Sequence, residues 1–279
     1  MIEENLVSTE WLREHMEDEN VVVADCRFDL SDPEKGCNDY SEGHIPGAVY
    51  FDLEKDLSGQ VKGHGGRHPL PPIDEFAEKL SSAGIDETKY VVAYDDQGGA
   101  MAARLWWLLT YLGHDQAGVL ESGYSNWVGQ GYPTTTDEAT PKETVFTPTP
   151  RNEMAVGIEE VKNSSNAALI DARAPERYRG EVEPMDKKAG HIPGAANWFW
   201  KENLGSDGKW KTGDELKQRF EPLKSKKEII VYCGSGVTAS ANVLALKEAG
   251  FGDAVKLYVG SWSDWSSYEE NPVETEEPK

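Results

Sequence analysis

One cysteine stands where chemistry is easiest to arrange. The run Ile229-Ile-Val-Tyr232 is followed by Cys233-Gly-Ser-Gly-Val-Thr-Ala239. Glycines at 234 and 236 open backbone conformations closed to other residues, so successive N–H groups can turn inward on the sulfur. The stretch from Thr238 to Glu248 reads as a helix that Gly250 ends, which places Cys233 at its positive end. A thiol in that setting is held ready as a nucleophilic thiolate. The competing reading is a buried structural cysteine; the strand, loop and helix pattern favours the reactive one. A cysteine phosphatase needs an arginine six positions after its cysteine to clamp phosphoryl oxygens. Ala239 occupies that position, which argues against phosphate-ester hydrolysis.

The elements that must hold this loop are written twice. Val21-Val-Val-Ala-Asp25-Cys-Arg27 is matched by Ala168-Leu-Ile-Asp171-Ala-Arg173, and Gly43-His-Ile-Pro-Gly-Ala48 by Gly190-His-Ile-Pro-Gly-Ala195. Val91-Val-Ala-Tyr94-Asp95 matches Ile229-Ile-Val-Tyr232-Cys233, and Tyr124-Ser-Asn-Trp127 matches Trp262-Ser-Asp-Trp265. Four blocks in one order mean two homologous domains. In each copy short apolar β-branched strands alternate with helical stretches, predicting a mainly parallel α/β sheet with helices on both faces. Helices are expected over 74–80, 100–112, 157–163 and 213–220, with a strand over 90–94. The domains are expected at 1–132 and 154–279. A connector over 133–153 joins them, rich in proline, threonine and charge. The His-Ile-Pro-Gly-Ala blocks read as fixed turns, because both copies carry them and only one carries the cysteine loop. The Asp-x-Arg blocks read as ionic staples at strand ends, and Trp127, Trp262 and Trp265 as packing residues.

The chain has 279 residues and a formal net charge of −22. That charge argues against nucleic acid and anionic membrane as partners. An anionic substrate would then need local positive charge. No apolar run approaches a membrane span, the N-terminus lacks a signal pattern, and three cysteines make neither a disulfide framework nor zinc spacing. A reducing cytoplasmic location is the simplest expectation. No metal, nucleotide or flavin signature is present, so no cofactor is expected. Cys26 is expected to be buried, and Cys37 to be a passive surface residue.

These blocks together resemble the tandem rhodanese family, the thiosulfate and 3-mercaptopyruvate sulfurtransferases, over nearly the whole chain. Cys-Gly-Ser-Gly-Val-Thr-Ala is similar to the mercaptopyruvate-type loop. The resemblance implies that Cys233 attacks the outer sulfur of a small anionic donor and becomes a persulfide. A thiol, cyanide or a thioredoxin-like protein then takes the sulfur. It implies stabilisation of that persulfide by the loop from Gly234 through Gly236 and Val237 to Thr238, assistance by Ser235, and donor binding by Arg177. Asp95 stands where the first copy would carry its cysteine, so that copy is expected to be a silent scaffold.

Animal-type mercaptopyruvate enzymes carry a second substrate arginine nine residues after the first. Asp186 occupies that place here, with Lys187 or Lys188 as candidate replacements. Gly63-His64-Gly-Gly-Arg67-His68-Pro resembles bacterial thiosulfate sulfurtransferases. Arg67 and His68 are either contributors of charge to the site or parts of an ordered turn without substrate contact. Phe28 falls where family members place an aromatic wall near the sulfur. Two further classes stand beside the enzyme: a persulfide carrier serving a protein partner, and a non-catalytic regulatory relative, which the intact cysteine loop disfavours.

Overall fold

The computed structural model describes residues 5–276. They form two compact units. The first comprises the described residues up to Gly59 with Pro71–Arg151 and Ser206–Trp210; the second comprises Gln60–Leu70, Asn152–Gly205 and the described residues from Lys211 on.

The first unit contains strands β1 (Leu6–Val7), β2 (Val21–Asp25), β3 (Val49–Tyr50), β4 (Tyr90–Tyr94) and β5 (Ala117–Leu120), in the order β1-β5-β4-β2-β3. The second repeats this with β6 (Ala155–Val156), β7 (Ala168–Asp171), β8 (Ala196–Asn197), β9 (Ile229–Tyr232) and β10 (Val255–Tyr258), ordered β6-β10-β9-β7-β8. All pairings are parallel. The central strands β4 and β9 are buried along their whole length, as β-branched strands covered on both faces must be. Helices cover the sheets. The helices following the central strands, Ala100–Tyr111 and Ala239–Glu248, carry few surface-facing positions, and every residue of the first is buried. A helix apolar nearly all round has no solvent face to offer.

Each sheet has its topological switch point beside the central strand. From β7 the chain moves outward to β8, returns to β9 on the other side of β7, and continues to β10. The loops leaving the carboxyl ends of β7 and β9 therefore diverge, and doubly wound sheets bind ligands in the crevice this creates.

The repeated blocks form the same devices twice. Arg27 bonds the Asp25 carboxylate and the Gly43 carbonyl, and Arg173 bonds Asp171 and the Gly190 carbonyl in the same way. Arg27 lies over the Tyr124 ring at 4.0 Å and Arg173 over Trp262 at 4.7 Å. Burial weighs most on the Arg173 guanidinium and favours its neutral form. The Asp171 carboxylate is the main influence opposing burial and the net result is a raised pKa, so the guanidinium of this buried staple stays charged. His44 and His191 each bond a tyrosine carbonyl through Nδ1, at 2.8 Å, and stack on that same tyrosine, Tyr40 or Tyr178. These histidines fix turns. Trp127, Trp262 and Trp265 are buried, each donating its indole N–H to a backbone carbonyl. The irregular stretch after Gly131 is bound to the first unit: Thr144 bonds the backbone of Ser81 and Ile85, and Phe146 is buried.

Candidate active site

Cys233 is the first residue beyond β9, at the switch point, and is 2% exposed. Its loop is fixed from one side by the segment following β10. The Cys233 N–H donates to Ser261 Oγ at 3.2 Å, and the carbonyls of Cys233 and Gly234 accept from the N–H groups of Trp262 and Ser263. Among the described residues Ser261 is the one non-glycine residue with positive φ, 54°. Its hydroxyl also donates to the Tyr258 carbonyl at 2.8 Å, so the strained residue is the rivet between β10 and the cysteine loop. Gly236 has φ +83°, and a Cβ there would lie 2.4 Å from the Val259 carbonyl oxygen, so only glycine fits. Its N–H donates to Cys233 Sγ at 3.2 Å. Val237 is buried, and Thr238 precedes the helix Ala239–Glu248 at its N-cap position without a side-chain capping bond.

The first copy shows what this loop geometry holds. Asp95 Oδ1 accepts from the N–H groups of Gln97 and Gly99, each at 2.8 Å; Oδ2 accepts from Met101 at 2.7 Å and Ala102 at 3.0 Å. Burial pushes the Asp95 carboxyl above its usual range, and these four amides pull it back. Gly98 and Gly236, equivalent in the two copies, have φ of 82° and 83°. The offset that pairs Asp95 with Cys233 pairs Gln97, Gly99, Met101 and Ala102 with Ser235, Val237, Ala239 and Ser240.

Arg177 sits on the short helix Pro175–Tyr178, beyond the carboxyl end of β7. Its Nη2 bonds Glu183 Oε1 at 2.7 Å and Asp186 Oδ2 at 3.2 Å. Arg67 forms an ion pair with the other oxygen of Asp186. Both guanidinium groups converge on the cysteine loop. A Cβ added to Gly234 would be 3.1 Å from Arg67 Nη2 and 3.3 Å from Arg177 Nη1. Glycine at 234 therefore leaves room for the two cations to approach the loop. The buried Nε atoms of Arg67 and Arg177 have no hydrogen-bond partner. His68 Nδ1 lies 2.7 Å from Ser235 Oγ, with both residues buried. The segment carrying Arg67 and His68 is tied down by Gly65 N–H to Asp264 Oδ1, by Arg67 N–H to Ser263 Oγ, and by His64 stacked on Tyr268.

The structure thus gathers Cys233, Gly234, Ser235, Gly236, Arg67, His68 and Arg177 in one place. The lysines expected to replace the missing arginine do not join them. Lys188 Nζ bonds the carbonyls of Tyr268, Glu269 and Asn271, and Lys187 is exposed with no bond to the cluster. The second cation is Arg67 instead. Phe28 is buried in the first unit, just beyond β2. Sequence reasoning missed Glu183 as a shared counter-ion of Arg173 and Arg177, and missed Asp186 as a bridge. Burial pushes the Asp186 carboxyl up, with Glu183 adding to this and the three arginines opposing it. The one sequence signal was acidic residues at 183 and 186 close after Arg177.

A family model described as rhodanese-like domain matches residues 8–130 and again 157–268. The chain belongs to the rhodanese-like family. This rhodanese-like chain is 44% identical over 278 residues to a probable 3-mercaptopyruvate sulfurtransferase of Pseudomonas aeruginosa, covering 97% of this chain and 98% of the relative. It is 36% identical to a putative thiosulfate sulfurtransferase, SseB, of Mycobacterium tuberculosis, covering 91% and 90% respectively. Among solved structures, the 3-mercaptopyruvate sulfotransferase SseA of Escherichia coli superposes with a TM-score of 0.81 at 34% identity, over 93% of this chain and 99% of SseA. Among the described residues, no helix of this rhodanese-like chain is long and apolar enough to cross a membrane.

Proposed function

We propose that Cys233 carries sulfur as a persulfide between a small anionic donor and a thiophilic acceptor. The chain is a sulfurtransferase of the thiosulfate and 3-mercaptopyruvate type, the activities for which its relatives are named. In the first half-reaction the Cys233 thiolate attacks the donor's outer sulfur. The sulfur–sulfur bond forms as the donor's own bond to that sulfur breaks. Thiosulfate leaves as sulfite. Mercaptopyruvate leaves as the enolate of pyruvate, and the proton from its thiol ends on the enolate carbon. Ser235 and His68, 2.7 Å apart, form a relay suited to that proton. In the second half-reaction an acceptor thiolate or cyanide takes the outer sulfur and restores the Cys233 thiolate. A thioredoxin-like protein, with an accessible low-pKa thiol, fits the acceptor's role.

The observation carrying this reading is the Asp95 carboxylate in the first copy. Its oxygens lie three bonds from Cα, as the outer sulfur of a Cys233 persulfide would. Four amides hold them, and the equivalent amides in the second copy belong to Ser235, Val237, Ala239 and Ser240. A loop of this shape stabilises a negative charge at that distance, each amide contributing roughly 1.5–3 kcal/mol. Arg67 and Arg177 supply two cations beside the loop for the donor's anionic end.

The test is steady-state turnover of thiosulfate and mercaptopyruvate with cyanide or a dithiol, together with mass spectrometry of the donor-treated protein. The wild type should gain one sulfur atom on Cys233 and turn over, and Cys233→Ser should do neither. Turnover surviving that substitution sinks the proposal. A persulfide without turnover would instead indicate a carrier.

A further inference from the structure

Asp186 is the least expected member of the site, because a carboxylate stands against the cations meant for an anionic donor. We infer that Asp186 determines donor specificity: it holds Arg67 and Arg177 together from behind and sets the net charge of the seat they form. The inference rests on the sulfurtransferase reading above.

The two guanidinium groups point toward one spot beside Gly234, where like charges repel. Asp186 makes that convergence possible by giving one carboxylate oxygen to each arginine. Its side chain is 4% exposed, against 27% for Arg67 and 19% for Arg177, so the counter-ion lies deeper than the cations it bridges. Glu183 neutralises the same cluster and is shared with Arg173, which is already paired with Asp171. The edges facing the loop, Arg67 Nη2 and Arg177 Nη1, remain directed toward Gly234, and both Nε–H groups are buried without a partner. Donors to an anion are therefore abundant, while net positive charge is scarce. A seat with many N–H donors and little surplus charge suits a singly charged carboxylate better than doubly charged thiosulfate. On this reasoning the wild type favours mercaptopyruvate, a monoanion, over thiosulfate, a dianion.

Asp186→Asn keeps an oxygen for one guanidinium and removes one negative charge. Relative to the monoanion, the dianion gains one extra unit of charge interaction. At about 6 Å and an effective dielectric constant of about 20–40, that unit is worth roughly 10- to 100-fold in affinity. The ratio of kcat/KM for thiosulfate to that for mercaptopyruvate should rise at least tenfold, mostly through KM, and the gain should shrink with added salt. Asp186→Glu, which keeps the charge, should keep the wild-type ratio. Asp186→Ser gives the same reading as the asparagine variant should the latter fail to fold, as judged by circular dichroism and Tm. A ratio within twofold of wild type overturns the inference. So does an equal loss on both donors, which marks a merely structural carboxylate, or the same shift in Asp186→Glu. If the wild type itself shows no Cys233-dependent turnover, the sulfurtransferase reading falls and takes this one with it; intact turnover with an unmoved ratio removes Asp186 alone.

Discussion

Asp95→Asn isolates the physics of the anion-holding loop in the copy that has aspartate in place of the loop cysteine. The wild-type carboxylate accepts four backbone N–H groups at 2.7–3.0 Å, two on each oxygen. Asparagine can serve one pair through its oxygen, but its amide nitrogen must then face two N–H donors with none of the four hydrogens accepted between them. Losing two charge-assisted bonds costs roughly 3–6 kcal/mol. Part of this is returned, because burial disfavours the wild-type charge and pushes the Asp95 carboxyl above its usual range. A net loss of about 2–4 kcal/mol remains once that relief is subtracted. For a unit of this size it lowers the midpoint of unfolding by roughly 5–15 °C. Differential scanning calorimetry of the full chain at neutral pH reads this directly. If Asp95→Asn unfolds at the wild-type temperature or above it, the loop is not organised around a negative charge. The argument from Asp95 to a Cys233 persulfide then loses its support.

Two other predictions concern the second unit. Ser235→Ala should cut mercaptopyruvate turnover by about 10²-fold, the usual scale for one proton-transfer group, and spare thiosulfate, whose leaving sulfite takes no proton from the relay; undiminished mercaptopyruvate turnover, or an equal loss on both donors, would show that Ser235 moves no proton. The Asp186 carboxyl is raised by burial and by Glu183 against the pull of Arg67, Arg177 and Arg173, so it protonates at higher pH than an ordinary aspartate. As pH falls its negative charge is therefore lost early, and the relative preference for thiosulfate should grow in wild type. The same titration in Asp186→Asn should leave the preference flat, and parallel profiles in the two proteins would contradict the assignment.

Much of this was legible in the chain because a repeat exposes itself by self-comparison. The paired Asp-x-Arg, His-Ile-Pro-Gly-Ala and strand–loop blocks predicted two parallel sheets, and the sheets have one strand order. Helix ends came close where periodicity was strong: 74–80 became Ile73–Ser82, and 100–112 became Ala100–Tyr111. The two-residue strands β3 and β8 carry no alternation of their own, and the sequence marks them only as what the His-Ile-Pro-Gly-Ala turns lead into. Cys233 and Arg177 could be read because each lies within a local motif. Arg67, His68 and Ser235 could also be named from their own motifs, but the pairings they make could not be. Arg67 and Asp186 are 119 residues apart, and His68 and Ser235 are 167 apart. Nothing in the local pattern of either segment requires the other. Ser261 is equally silent in sequence, because its part depends on a backbone conformation that serine seldom adopts. The stretch after Gly131 reads as a connector between the domains from composition, and composition does not disclose that hydrogen bonds from Thr144 and burial of Phe146 bind it to the first unit. Polar composition reports solvent affinity and says little about which backbone groups are already taken.

A net charge of −22 on a protein that takes anions is a contradiction only if every charge counts equally. At physiological ionic strength exposed charges are screened beyond about 8 Å, so most of the surface carboxylates act weakly on a bound donor. Charges withdrawn from water act at much lower effective dielectric, and two of these, Arg67 and Arg177, converge on the loop. The balance at the sulfur is then set by very few groups: two guanidinium ions, the Asp186 and Glu183 carboxylates behind them, and the amides of the loop. In the proposed mechanism the amides hold a persulfide without adding net charge, so they stabilise that intermediate without binding the incoming anion too tightly. On the proposed reading the guanidinium ions recruit the donor, and Asp186 limits how strongly they hold it or the departing product. A surface rich in carboxylate can therefore coexist with anion chemistry, provided that the cations at the site are few, partly buried and close to their own counter-ions.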